Sequence, residues 1–95
     1  MRFLLVTCFA LMPAATLAAN PDCAVFGEIV DKIVAERQDG AVINASMETV
    51  AGEYTGRKKR FVPTIPALAE WVYSLPEADL SAGPGDVFAE QCNAQ

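Results

Sequence analysis

Apolar positions recur at helical spacing in four separate stretches of the chain. The first opens at Asn20-Pro21-Asp22, which reads as an N-cap, a proline at the first helical position and an acid in the first turn. It predicts a helix from Pro21 to about Gln38, stopped by Asp39-Gly40. On a helical wheel Cys23, Phe26, Ile29, Val30, Ile33 and Val34 fall within an arc of about 140°. Glu28, Asp31, Lys32 and Glu36 fall opposite, and Glu28/Lys32 and Lys32/Glu36 are i,i+4 pairs of opposite charge.

After a connector at Gly40 to Ile43, Asn44 can cap a second helix to about Tyr54. Met47, Val50, Ala51 and Tyr54 give it an i, i+3, i+4, i+7 stripe, and Gly56 marks its end. Ala41-Val42-Ile43 also fits a short extended piece. Pro63 and Pro66 are expected to keep the next stretch extended until Thr64 caps a third helix, Ile65 to Ser74. Its stripe is Ile65, Leu68, Ala69 and Val72, flanked by Trp71 and Leu75, and Pro76 stops it. Glu77 to Gly85 reads as a loop. A last helix is expected from about Pro84 to Asn93, with Phe88 and Cys92 one turn apart. The expectation is an all-α fold, a small bundle of about four helices.

The first 19 residues read differently. Met1-Arg2 is a short positive start, Phe3 to Met12 is an apolar run broken only by Thr7, and Pro13 precedes a run of small residues ending at Ala18-Ala19. This is the pattern of a secretory signal peptide, cleaved after Ala18 or Ala19, and the run is too short for a bilayer, which needs about 20 apolar residues. Neither Cys8 nor Cys23 stands where a lipoprotein cysteine would. The expected location is the periplasm, with the extracellular space as the alternative, and residues 20–95 form one small domain.

Removing the leader changes the cysteine arithmetic. Cys8 goes with it, leaving Cys23 and Cys92 of the three. In an oxidising compartment a lone pair allows one intramolecular bridge, here tying the first helix to the last. Closing a loop of about 70 residues stabilises by roughly 4 kcal/mol in the chain-entropy model. For a domain this short, that is a large share of its stability.

Charge narrows the function classes. The chain has seven basic and twelve acidic side chains; without Arg2, six basic remain against twelve acidic, a net charge of −6. Four of those six are consecutive, Arg57-Lys58-Lys59-Arg60, followed by Phe61. The run suits docking to an acidic protein surface. Anionic lipid heads are a less favoured target. Four charges against a net −6 are too few for nucleic acid, where more phosphates must be neutralised. Arg-x-Lys-Arg is also the pattern cut by furin-like convertases in eukaryotes, and a solvated loop is the plainest reading. Trp71 and Tyr73 cannot both face the way Leu68 and Val72 do, so a partly exposed aromatic pair could join Phe61 in a contact patch.

Catalysis lacks its parts. The chain has no histidine, so Ser46, Ser74 and Ser81 have no such base, and scattered carboxylates are not a metal site. No cofactor is expected and the protein is not read as an enzyme.

The layout resembles small exported bacterial helical proteins with one cysteine near each end of the mature chain. The residues that carry this are Cys23, the block Ala35-Glu36-Arg37-Gln38-Asp39-Gly40, the block Val72-Tyr73-Ser74-Leu75-Pro76, and Val87-Phe88 before Cys92. That resemblance implies no activity. In size, export, helicity and single disulfide the chain is also similar to periplasmic acid-stress chaperones, in architecture only. Two functions follow as expectations. One is an exported, non-catalytic protein-interaction module: an inhibitor, an immunity-type protein or an envelope accessory. The alternative is an acid- or stress-activated holdase.

Overall fold

The computed structural model describes residues 20–95. The leader and its cleavage point, expected within residues 1–19, lie outside the described residues. The described chain is all-α and without strands: α1 (Pro21–Gln38), α2 (Ile43–Ala51), a 3-10 segment (Gly56–Thr64), α3 (Ile65–Ser74), a second 3-10 segment (Glu77–Ala82) and α4 (Pro84–Asn93). Cys23 and Cys92 are disulfide-bonded with Cα atoms 5.6 Å apart, so the first and last helices are stapled.

α1 begins and ends on local chemistry. Asn20 is extended, and its Oδ1 accepts a hydrogen bond from the Asp22 N–H at 2.9 Å. At the other end Gly40 has φ +92°. Its N–H donates to the Arg37 carbonyl at 2.9 Å, and the Ala41 N–H donates to the Glu36 carbonyl at 3.0 Å. This Schellman closure needs the left-handed residue that glycine supplies. Cys23, Ile29, Val30, Ile33 and Val34 are buried as the periodicity requires, and Phe26 is half-buried.

The polar face of α1 is arranged otherwise than its i,i+4 spacing suggests. Lys32 Nζ pairs with Glu53 Oε1 at 2.8 Å, and Glu28 Oε1 accepts from the Tyr54 hydroxyl at 2.6 Å. The end of α2 crosses α1 here, and partners held by a fold displace flexible neighbours on one helix.

Other local expectations also differ. Asn44 is not a cap: α2 starts at Ile43 with Val42 in the cap position and no side-chain cap bond, and it ends at Ala51 rather than Tyr54. The stretch 56–64 is coiled into 3-10 turns rather than extended, and it includes Pro63. Proline disfavours α geometry in the residue before it, but its own fixed φ of about −65° fits a 3-10 turn. Thr64 is itself αR, and its hydroxyl donates to the Phe61 carbonyl at 2.6 Å instead of capping α3. Finally, the loop expected at 77–85 contains 3-10 turns that bury Leu80.

The core is built by α1, α2 and α3: Ile29, Val30 and Ile33 meet Val50, Ile65 and Val72, all essentially inaccessible. Burying one such side chain is worth about 1.5–3 kcal/mol. Tyr54, Phe61, Leu68 and Leu80 close its edges. α4 gives it no fully buried large side chain. It docks on α1 through backbone, at Gly27 and Gly85, with the disulfide at the end of the contact. Its cap residue, Gly83, has no side chain, and the Gly85 N–H donates instead to the carboxylate of Asp31 on α1. Burial pushes the Asp31 carboxyl up from its ordinary value, as does the charge of Asp86, and the Gly85 hydrogen bond opposes them.

Candidate functional site

The six cations of residues 20–95 divide into two groups. Lys32 is paired with Glu53. Arg37 is half-buried, and its Nη1 donates to the carbonyls of Val72 at 2.7 Å and Leu75 at 2.8 Å. It thereby closes the C-terminal end of α3, where exposed carbonyls and the helix dipole favour a cation. The same guanidinium lies 5.7 Å from the Tyr73 ring centroid, and the Tyr73 hydroxyl donates to the Ala41 carbonyl at 2.7 Å. Arg37 and Tyr73 thus join the end of α1 to the end of α3. Tyr73 is committed to that structural joint.

The other four cations, Arg57, Lys58, Lys59 and Arg60, are all exposed on the 3-10 segment. Lys58 Nζ lies 6.0 Å from the Tyr54 ring centroid. Arg60 bridges to Asp22 in the first turn of α1, Nη2 to Oδ1 at 3.0 Å. Among the described residues neither Arg57 nor Lys59 is in an ion pair. Consecutive like charges on a tight 3-10 turn project outward because the core side of that turn is taken by Phe61.

Phe61 is therefore not a surface aromatic; it is 5% exposed. It is nonetheless the start of a connected row. The Arg60 guanidinium stands 4.3 Å from its ring centroid. The Phe61 ring meets Phe26 edge-on at 5.7 Å, Phe26 meets Phe88 at 6.5 Å, and Phe88 meets Trp71 at 5.7 Å. The first two pairs are edge to face, a geometry that contributes about 0.5–1.5 kcal/mol beyond the area buried, and the third is tilted at 55°. Phe26, Phe88 and Trp71 are each half-buried. The structure thus brings Trp71 and the basic run into one surface, but through Phe26 and Phe88. The sequence pattern put Phe26 on the apolar arc of the first helix and Phe88 one turn from Cys92, and only the crossing of α1, α3 and α4 leaves both partly open.

Shallow depressions flank this row. One, of about 250 Å³, is lined by Phe26, Thr64, Ala67, Leu68 and Phe88. A second lies between Trp71, Leu75 and Pro84, beside the exposed Val87. A third, on the other side of α3, lies between Asn44, Met47, Val62 and Pro66. Among the described residues no group of three or more His, Cys, Asp or Glu side chains is placed to hold a metal. No described helix is long and apolar enough to cross a membrane. Comparison of the chain with protein-family models, curated proteins and solved structures finds no match.

Proposed function

We propose that this protein is an exported, non-catalytic interaction module, of the inhibitor, immunity or envelope-accessory kind, that meets an acidic partner through Arg57–Arg60. The observation that supports this is the division of the cations. Lys32 and Arg37 are held by contacts within the fold, and the other four cations of an otherwise acidic surface project from one 3-10 segment, where Arg60 alone is in an ion pair, with Asp22. Such a concentration steers encounter with a surface of opposite sign. A disulfide between the first and last helices is compatible with an oxidising, exported location.

The test is capture from envelope extract by the oxidised protein and by a triple variant, Arg57→Glu, Lys58→Glu and Lys59→Glu. Arg60 is left alone because of its bridge to Asp22. The expected result is loss of the captured partner with an unchanged circular dichroism spectrum and melting temperature. Unchanged capture overturns the reading.

A holdase is the second reading. Its support is the charge balance: neutralising the twelve acidic side chains leaves the six basic ones of residues 20–95, a swing from −6 to about +6, whereas the α1–α4 staple is covalent. Self-repulsion would then loosen the helices and open their apolar faces. Light scattering of an aggregating client at pH 2–3, with and without the protein, decides it: no suppression ends this idea.

A further inference from the structure

We infer that the depression over Phe26 and Phe88 receives a bulky apolar side chain of an acidic partner segment whose carboxylates lie on Arg57–Arg60. The inference rests on the proposed interaction module and adds where the apolar contact is made. The sequence pattern placed that contact on Phe61, Trp71 and Tyr73. Phe61 is buried, and the Tyr73 hydroxyl is bonded to Ala41. Trp71 is half-exposed as well but stands at the far end of the row, beside Val87; Phe26 and Phe88, edge to face, are the half-exposed aromatics that follow directly on Phe61 and the basic segment.

Charge and apolar surface are contiguous here. Arg60 lies over Phe61, Phe61 abuts Phe26, and Asp22, which holds Arg60, is one helical turn before Phe26. Thr64 and Ala67 continue from the basic 3-10 segment into α3 as the wall of the depression. A space of about 250 Å³ takes an anchoring side chain, not a small-molecule substrate in a closed site. An occupant that presents carboxylates on one side of an apolar anchor matches both halves of the surface. Most binding energy in such contacts comes from a few desolvated anchors, and the charges set encounter rate and selectivity.

The probe is a random peptide library displayed on phage and panned against the oxidised protein. Affinity of an enriched peptide is then measured by fluorescence anisotropy. Two single variants discriminate the surfaces. Ala67→Glu puts a carboxylate in the Phe26/Phe88 depression, and Asn44→Glu puts one in the depression on the other side of α3. Both positions are exposed, so both variants are expected to fold, and each adds the same charge.

The inference expects peptides rich in Asp and Glu that carry a Leu, Ile, Phe, Met or Trp. It expects Ala67→Glu to weaken binding at least about tenfold and Asn44→Glu less than about twofold. Acidic peptides without an apolar anchor, or equal loss in both variants, overturn the depression and leave the charged surface standing. Enrichment of neutral or basic peptides overturns both. So does binding confined to phosphatidylglycerol vesicles, which assigns the basic turn to a lipid surface.

Discussion

Gly27 on α1 and Gly85 on α4 hold their two helices in backbone contact: a Cβ built on Gly85 would stand 2.5 Å from the Gly27 carbonyl oxygen and would also collide with the Asp31 carboxylate. A Cβ on Gly27 would meet the Gly85 carbonyl at 2.7 Å. The Asp31 carboxylate can swing aside, but the Gly27 and Gly85 carbonyls are backbone and cannot. Gly85→Ala should therefore destabilise by roughly 1–3 kcal/mol, the usual range for forcing a methyl into packed structure. Urea unfolding measures it, and a midpoint equal to that of the unsubstituted protein would show that α4 can shift freely on α1.

The staple lies next to that crossing. Cys23 is fully buried, and the bridge spans 69 positions of sequence. Because α4 adds no fully buried large side chain to the core, the loss of the bridge should be felt most there. Replacing both cysteines by serine should cost about 4 kcal/mol in the chain-entropy model. Hydrogen exchange should show α4 amides losing protection before those of α1 and α3. Uniform loss would mean that α4 is held well without its covalent tie.

Arg37 is the joint between α1 and the end of α3. Removing it leaves the Val72 and Leu75 carbonyls without this donor and the Tyr73 face uncovered. Arg37→Ala should cost about 1.5–3 kcal/mol, the range for hydrogen bonds to a charged group. Arg37→Lys should recover only part, since an ammonium lacks the planar fork that reaches two carbonyls. Thermal melts of the two variants check this, and full rescue by lysine would reduce the joint to simple charge at a helix end.

Tyr54 links stability to alkaline pH. Its phenol is pushed well above its ordinary value, first by burial, then by the hydrogen bond to Glu28 and the charges of Glu28 and Glu53. Lys32 is raised as well, chiefly by the hydrogen bond to Glu53. Both groups are protonated more readily in the folded chain than in the unfolded one. Their contribution is therefore complete below about pH 10 and is lost as pH rises through the folded values. Tyr54→Phe should cost about 1.5–3 kcal/mol at pH 7, since the lost hydrogen bond is to the Glu28 carboxylate. It should also flatten the loss of stability above pH 10. An unchanged alkaline limb would mean that Tyr54 titrates as if solvated.

How much of this was legible beforehand follows from what each element depends on. α1, α3 and α4 could be read off the chain because their starts, stops and apolar stripes are local: Asn20-Pro21, Gly40, Pro76 and Pro84 act on their immediate neighbours. The pairing of Cys23 with Cys92 was legible too, as the one intramolecular bridge open to residues 20–95, and the structure has it. The 3-10 segments escaped because their turns are stabilised by Phe61 and Leu80 reaching the core, a condition no short window contains.

The candidate surface divides in the same way. That four cations are consecutive is a property of the sequence alone, and so is their excess over the other two. That those other two, Lys32 and Arg37, are occupied depended on α2 and α3 crossing α1. Which aromatics lie open was likewise decided by tertiary structure. Periodicity shows which face of a helix is apolar, but not how far a neighbour covers it. The covering of Phe61, the partial exposure of Phe26 and Phe88, and the approach of Trp71 to Phe88 all arise from contacts between residues distant in the chain.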